Sequence, residues 1–271
     1  MWRHAPSAIG LALFVCVSAV TRINAQFGVN AVSQNCLHLG WGSHTDSKVR
    51  GIAAASDNAQ GMGVEADVIV LQEVMPKGGA DGTAAIAERM SPGTYQTTVS
   101  PAYGKGSYKE FYGFIVKAIY TMGGVVGNPA NNSGSFARPP AGVTVTVAGQ
   151  QFWLINYHAV FGKNAGIRQA EVQQVPTVIA GFVGVTNIQV LMGGDWNLPT
   201  DDTAFNGFGA YGRGPNEITS LNPQGIPSSR YDHFVWQLNS QPTNLQILDP
   251  IITTQEWRAN VSDHLGITCQ M

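Results

Sequence analysis

The chain has 271 residues and a formal net charge of −2, and 12% of its residues are charged. A chain this close to neutrality lacks the excess of Lys and Arg that strong electrostatic binding of nucleic acid requires, although a turnover enzyme with a bound metal remains compatible. The length suits one α/β domain with a core of at least two layers.

Residues 1–25 are predicted to be a secretory signal peptide. Arg3 and His4 precede the apolar stretch 8–20, which is too short to span a bilayer, and Ala25 is a small residue suited to cleavage. No later apolar run reaches transmembrane length. We therefore expect a secreted protein, with a single domain over residues 26–271 and no membrane span.

Apolar runs and turn signals predict alternating strands and helices along this domain. The first predicted strand ends near Asn35, and the others cover 67–74, 112–117, 143–147, 151–157, 188–192, 231–236 and 265–269. The predicted helices cover 48–66, 83–90 and 165–182, the last bent or begun at Pro176. The stretches 123–142 and 206–229 are rich in Gly, Pro and Asn, and we expect loops there.

Acidic, amide and imidazole side chains stand at or near the ends of the predicted strands. These residues are Asn35, Glu73, His158, Asp195, Asn197, Asp232, Asp263 and His264. Several follow runs such as DVIVL, FWLIN and IQVLM, which are typical of buried strands and deliver polar residues to one edge of a sheet. Carboxylates, amides and two histidines together suit a hard divalent cation and proton transfer to and from a phosphate ester. Metal-dependent phosphodiester hydrolysis is the predicted chemistry.

Three of these residues have roles that follow from their position alone. Glu73 ends a buried run, where a carboxylate needs a partner and a metal ion is the natural one. Asp195 and Asn197 stand two residues apart, so both side chains lie on one side of an extended segment. The acid can then hold a metal or a nucleophilic water, and the amide can donate to phosphate.

A single histidine at a strand end is more often a buried structural residue than a catalytic one, so position alone does not make a histidine catalytic. Asp232 is a candidate to orient either His158 or His264 and to raise its basicity. The other histidines of the predicted domain, to which we assign no role, are His38, His44 and His233. We expect His38 and His44 on the surface and His233 on the opposite face of its strand.

The order of the motifs, Asn, QE, His, GDxN, Asp and SDH, resembles the endonuclease/exonuclease/phosphatase superfamily over nearly all of the predicted domain. Within it, residues 107–110 (SYKE) and 135–139 (SFARP) look like segments of secreted deoxyribonuclease I, and the cytolethal distending toxin B subunit is similar more distantly. The resemblance implies an α/β fold, a four-layered α/β/β/α sandwich of two mixed β-sheets packed face to face with helices outside.

The resemblance also implies roles for individual residues. The implied catalytic residues are Glu110, His158, Asp195, Asn197, Asp232 and His264, with Glu110 paired to His158 and Asp232 to His264. The implied ligands of a catalytic Mg²⁺ or Mn²⁺ are Asn35, Glu73 and Asp263, and structural Ca²⁺ is also compatible with the family. The implied DNA contacts are Tyr108 and Arg138. Which histidine is the acid and which the base stays open.

The sequence departs from the deoxyribonuclease I pattern at Met75, where that family has an arginine that enters the minor groove. The predicted function is nevertheless that of a secreted endonuclease that hydrolyses DNA with little sequence preference, as a monomer. Two alternatives remain: the same core acting on another phosphoester, such as a phospholipid or phosphoinositide headgroup, and a non-catalytic toxin-like or binding subunit. No protein partner is indicated.

Two cysteines remain after the signal peptide, Cys36 and Cys269, and a secreted protein favours a disulfide between them. The resemblance makes the first and last strands antiparallel neighbours. With Asn35 opposite His264, Cys269 lies six residues beyond the partner of Cys36, at roughly 3.3 Å per residue a separation of roughly 20 Å. A disulfide needs Cα atoms within about 7 Å. Both thiols are therefore predicted to be free and buried.

Overall fold

The computed structural model describes residues 27–42, 45–61, 63–130, 132–186, 188–237 and 241–271. The predicted signal peptide lies outside these ranges. No helix within them combines the length and the apolar character needed to cross a membrane.

Strands dominate the described chain, and helices lie between or after them. The strands are β1 Asn30–Leu39, β2 Val68–Val74, β3 Tyr95–Val99, β4 Phe111–Lys117, β5 Thr121–Met122, β6 Val126–Gly127, β7 Ala141–Val147, β8 Gln150–His158, β9 Gln189–Asp195, β10 Tyr211–Gly214, β11 Ser220–Leu221, β12 Pro227–Ser229, β13 Asp232–Gln237, β14 Thr243–Ile247 and β15 Ile267–Gln270. The helices are α1 Thr45–Ser56, α2 Gly79–Met90, α3 Ala165–Val172, α4 Val175–Thr186 and α5 Thr254–Asn260, with 3₁₀ turns at Ser133–Ser135 and Thr203–Gly207.

The strands form two large mixed sheets with related designs. The first has the order β14-β15-β1-β2-β4-β3 and the second β10-β13-β9-β8-β7-β5, with β6 also paired to β7. Each sheet has one parallel pair near its middle, β1 with β2 and β8 with β9. Their other named pairs are antiparallel. Both strands of a parallel pair end at the same edge, so each sheet brings two strand ends together there.

Alternation of side chains along the central strands separates three apolar cores. In β2, Val68 and Val70 point between the sheets, whereas Ile69 and Leu71 point towards the outer helices. Ile86 of α2 packs in that outer core, and Ile179 of α4 packs outside the second sheet. Burying each such side chain contributes about 1.5–3 kcal/mol. The order helix, sheet, sheet, helix confirms the predicted four-layered sandwich.

The helix predictions needed correction at their boundaries. The helix predicted over 48–66 ends at Ser56, and Gly61 and Gly63 beyond it adopt left-handed backbone angles (φ 76° and 74°), which exclude a helix over the predicted end. The helix predicted over 165–182 is two helices, α3 and α4, with the break just before Pro176. Proline lacks an N–H and cannot continue a preceding helix, as predicted.

Short elements escaped the sequence prediction. The expected loops 123–142 and 206–229 contain β6, β10, β11, β12 and a 3₁₀ turn, and β3, β5, β14 and α5 were not predicted either. The edge strands β3 and β14 are half-buried or exposed along their length, so they lack the apolar runs by which buried strands are recognised. Helix α5 begins at a capping box between Thr253 and Glu256.

The two cysteines are free and buried, which confirms the prediction. The observed register differs from the predicted one by a single residue: Ala31 pairs with Cys269, which places Asn35 level with Leu265 instead of His264. Cys36 lies five residues beyond Ala31 and faces the outer helices, whereas Cys269 faces the space between the sheets. Distance and direction both prevent a bridge.

We expect thiol titration of the unreduced chain from Gln26 onward to find two thiols in denaturant and almost none before unfolding. Burial raises the pKa of both thiols and excludes the reagent from them. Cys36→Ser and Cys269→Ser should each remove one thiol from the denatured count. A count of zero in the parent protein would contradict the observed register.

Candidate active site

The candidate site lies where the two parallel strand pairs end. Asn35 lies in β1, Glu73 in β2, and His158 and Asp195 are the last residues of β8 and β9. The ladders shift register between Asn35 and Leu39 and between Leu71 and Val74. Such bulges bend a strand and redirect its side chains. The strand ends therefore converge on one cleft between the sheets.

Backbone strain concentrates at this edge. Leu37, His38, Glu73 and Asn197 have positive φ values of 45°, 64°, 56° and 51°. Residues other than glycine rarely adopt this region, and surrounding structure must hold them there. In each case, the unusual backbone belongs to a residue that lines the cleft.

A buried polar layer separates the inter-sheet core from the site. The Gln72 side-chain amide donates to Asn156 Oδ1 at 2.7 Å and to Ser33 Oγ at 3.2 Å. The Asn156 amide donates to the carbonyl oxygens of Leu71 (2.9 Å) and Gly113 (3.2 Å). These bonds tie β2 of one sheet to β8 of the other, and so fix the relative positions of Glu73 and His158.

The first histidine is held by a buried carboxylate. Glu110, which is fully buried, contacts His158 Nδ1 through Oε1 at 2.7 Å. Arg138 lies behind this pair: its Nε is 3.3 Å from the same Glu110 oxygen and donates to the His158 carbonyl at 3.1 Å. Its Nη2 donates to the Ala159 carbonyl at 2.5 Å. His158 Nε2 is therefore directed into the cleft.

The second histidine has the same arrangement. Asp232 Oδ2 lies 2.7 Å from His264 Nδ1, and Asp232 is fully buried. The backbone of His264 is fixed as well, because its N–H donates to Ser262 Oγ and its carbonyl accepts from Trp257 Nε1. Ser262 Oγ in turn donates to the Asn35 carbonyl at 2.6 Å. This hydrogen bond connects the segment 262–264 to β1.

Asp195 lies between the two imidazoles. Its Oδ2 is 3.6 Å from His158 Nε2 and 3.5 Å from His264 Nε2. The same oxygen accepts from the Asn35 amide at 3.0 Å, and Oδ1 accepts from the Asn197 N–H at 2.9 Å. The six predicted catalytic residues are thus brought together, two histidine–carboxylate pairs around one acid.

The two imidazoles differ in protonation. Burial, together with the Arg138 cation and against the opposing effect of Asp195, lowers the pKa of His158 to about 4. Burial also acts to lower the pKa of His264, but the charges of Asp232 and Asp195 outweigh it and raise the value well above the usual range. At neutral pH, His158 is therefore neutral and His264 carries a proton.

The predicted metal ligands also meet at the cleft. Glu73 Oε1 accepts from the Asn35 amide at 3.1 Å, while the Asn35 oxygen accepts from the Leu37 N–H at 3.0 Å. Asn35 thus bridges Glu73 and Asp195. Asp263 Oδ1 is buried without a hydrogen-bond partner, so it requires a positive partner from elsewhere. Hard oxygen donors of this kind fit Mg²⁺ or Mn²⁺.

A second grouping could also hold a cation, since ligand atoms of Asp195, Asp232 and His264 lie within 4.8 Å of one another. The 2.7 Å contact between Asp232 and His264 already explains this proximity as a hydrogen bond. Asp232 Oδ2 and His264 Nδ1 therefore bind each other and are not available as cation ligands. We therefore favour Glu73 and Asp263 as the cation ligands.

His38, which was expected on the surface and to which no role was assigned, is half-exposed and also lines the cleft. Its Nε2 lies 3.2 Å from Glu73 Oε2 and 3.1 Å from the Tyr108 hydroxyl. The bulge after Asn35 turns the imidazole into the cleft, and a regular strand pattern carries no signal of this. His233 is buried, with both ring nitrogens directed at the carbonyls of Pro215 and Leu198, consistent with a structural role.

The residues implied to contact DNA have different surroundings. Tyr108 is half-buried on the wall of the cleft. Arg138 is only 7% exposed, and its bonds to Glu110 and two carbonyls occupy much of the guanidinium. Met75 is fully buried, so this position cannot present a groove-reading side chain as the deoxyribonuclease I arginine does.

The cleft has a volume of about 340 Å³. It is lined by Leu37, His38, Glu73, Tyr108, Arg138, His158, Phe161, Asp195, Asn197, Asp263 and His264. Loops of the first sheet supply one wall and loops of the second sheet supply the other. The arrangement can hold a cation and a phosphate beside one neutral and one protonated imidazole.

The fold matches several solved structures. The human Nocturnin catalytic domain with bound sulfate is 12% identical with a TM-score of 0.63, covering 91% of this chain and 95% of its own. D. rerio TDP2 with a single-strand DNA product is 17% identical with a TM-score of 0.60, covering 89% and 97%. An endonuclease/exonuclease/phosphatase family protein from Leptotrichia buccalis is 14% identical with a TM-score of 0.60, covering 90% and 99%.

No family model and no curated protein matches the sequence. The structural likenesses, all at low identity, confirm that the chain has the endonuclease/exonuclease/phosphatase fold. The closer resemblance to secreted deoxyribonuclease I stays a prediction.

We expect NMR titration of the imidazoles in metal-free protein to show His264 protonated and His158 neutral at pH 7. The Asp232 carboxylate is the nearest charge that holds the proton on His264. Asp232→Asn should therefore lower the pKa of His264, whereas the exposed control Asp81→Asn should leave it unchanged. Equal titration of His158 and His264 in the parent protein would show that the two pairs are equivalent.

Proposed function

We propose that this protein is a secreted, divalent-metal-dependent phosphodiesterase that acts as an endonuclease on DNA with little sequence preference. The observation that carries this proposal is the position of Asp195 between the Nε2 atoms of His158 and His264, each held by a buried carboxylate. The solved structures that share the fold support it, since one holds a single-strand DNA product and another a sulfate anion. Export is proposed from residues 1–25.

The residues of the cleft suggest how the reaction proceeds. Asp195 and the neutral His158 orient a water molecule and accept its proton as the water attacks phosphorus. His264, which faces the carboxylates of both Asp232 and Asp195, donates a proton to the leaving oxygen. Asn197 supplies an amide beside the phosphate. Glu73 and Asp263, with Asn35 beside them, would hold the divalent cation, which when bound would supply positive charge that stabilises the phosphoryl oxygens in the transition state.

Nicking of supercoiled plasmid should require Mg²⁺ or Mn²⁺, and EDTA should abolish it. Glu73→Gln removes a charged oxygen ligand, so it should raise the metal concentration for half-maximal activity, with partial rescue at high metal. The exposed α2 residue Glu88 provides the control, since Glu88→Gln should leave the metal titration unchanged. Full nicking in EDTA would contradict the metal requirement.

The same preparations should be tested for phospholipid headgroup release. Release without plasmid nicking would favour the alternative phosphoester substrate. Absence of both activities, with metal present and the protein folded, would favour a non-catalytic binding subunit.

His158→Ala and His264→Ala should each reduce plasmid nicking by about 10²–10⁴-fold at temperatures where the variant is folded, because each removes a proton-transfer group at the cleft. Each should also lower the melting temperature, since a buried carboxylate loses its imidazole partner. His233→Ala is the matched contrast. It should lower the melting temperature, since a buried ring that donates a hydrogen bond to a carbonyl oxygen is lost, and should affect nicking only through folding. A variant of either cleft histidine that retains parental turnover would remove that residue from the mechanism.

A further inference from the structure

An exposed aromatic side chain stands on one wall of the cleft. Phe161 follows His158 by three residues and is 76% exposed, yet it lines the cleft together with His158 and Asp195. Because the ring is exposed and lines the cleft, it is available to a ligand that occupies the cleft.

The opposite wall carries an aromatic cluster, which consists of His38, Trp41 and Tyr108. Trp41 is 42% exposed and meets Tyr108 edge-on at 6.0 Å between ring centroids. The Tyr108 hydroxyl contacts His38 Nε2, which holds the cluster in place. Loops of the first sheet form this cluster, whereas Phe161 follows β8 of the second sheet. His38 and Tyr108 line the cleft together with Phe161, and Trp41 packs against the His38 and Tyr108 rings beside it. A substrate in the cleft therefore meets aromatic side chains from both sheets.

Exposed lysines occur in the two chain segments that carry Tyr108 and Phe161, although the whole chain is slightly acidic. Segment 101–113 next to Tyr108 carries exposed Lys105 and Lys109, and segment 159–174 around Phe161 carries exposed Lys163. The acidic residues in these segments are Glu110 and Glu171, and both are buried and hydrogen-bonded. Exposed positive charge beside aromatic rings is the combination that binds the backbone and bases of single strands.

We propose that the walls of the cleft hold unpaired bases on either side of the scissile phosphate, so that single-stranded or locally unpaired DNA is the preferred substrate. This proposal rests on the phosphodiesterase function above. Bases in a duplex are stacked on both faces and offer no free face to Phe161 or Trp41.

A phospholipid surface is the other partner that accepts aromatic and basic side chains. Insertion into a membrane requires apolar groups that project together from the protein. Tyr108 and His38 instead line the cleft wall and contact each other through polar atoms. Groups in this position contact a substrate that enters the cleft, which favours nucleic acid.

The test compares kcat/KM with Mg²⁺ for one oligonucleotide as a single strand and as a duplex, alongside the small diester bis(4-nitrophenyl) phosphate. The single strand should be preferred over the duplex by about tenfold or more, the usual size of a base-stacking contribution. Phe161→Ala and Trp41→Ala should each reduce the ratio of single-strand to small-diester kcat/KM about tenfold, and Phe161→Tyr should retain it. Ile119→Ala, at an 81% exposed apolar residue outside the cleft, should change neither ratio.

The outcomes separate this inference from the function on which it rests. No hydrolysis of any diester would overturn both. Hydrolysis of the small diester with equal rates on single strand and duplex, or ratios unaffected by Phe161→Ala and Trp41→Ala, would overturn the single-strand preference alone. Headgroup release from phosphatidylcholine vesicles that exceeds oligonucleotide cleavage and is lost in Phe161→Ala would assign the aromatic walls to a lipid surface. Melting curves of each variant confirm that the comparison is made on folded protein.

Discussion

Asp195 is a carboxylate with only 1% of its surface exposed, and the arrangement of the site follows from the need to compensate it. Withdrawing such a charge from water costs several kcal/mol unless hydrogen bonds and opposite charge surround it. Here the compensation comes from two imidazoles, the Asn35 amide and the Asn197 N–H, which belong to different strands and loops. The acid can therefore be accommodated only after both sheets have formed and stacked. Its burial couples the folding of the sandwich to the assembly of the cleft.

The two sheets share one feature that makes this coupling possible, a parallel strand pair near the middle. Each sheet ends one parallel pair at the cleft, so that four strand ends supply Asn35, Glu73, His158 and Asp195. Apolar residues fill the space between the sheets until the polar layer around Gln72 replaces them. That layer allows no sliding of one sheet over the other, because a shift of one residue would break bonds that reach both sheets. The geometry of the catalytic groups is thus set by packing some distance below them.

The sequence located strand ends well where polar residues follow apolar runs, because a strand end is visible as a change in hydropathy. Asp195 and His158 are examples, and the motif order added Glu110 and Asp232, which no local pattern distinguishes. His38 was missed because a bulge, a feature of pairing between strands, decides where its side chain points. The same limit applies to β3 and β14, whose exposed edges lack a periodic signal. Register was predicted to within one residue, sufficient for the cysteines, because their separation far exceeds the error.

Arg138 explains how two similar pairs can perform different tasks. Resemblance assigns it to DNA, but in the structure it lies behind Glu110 and binds the carbonyls of His158 and Ala159. A fixed cation there offsets the charge that Glu110 would otherwise present to its histidine, and no arginine contact accompanies Asp232 among the described ion pairs. Burial acts to lower the pKa of both imidazoles, and the Arg138 cation lowers that of His158 further, whereas the charges of Asp232 and Asp195 raise that of His264. The proton is therefore held less firmly by His158 than by His264. Two residues of the same type then differ in protonation at one pH, the condition that combined acid and base catalysis requires.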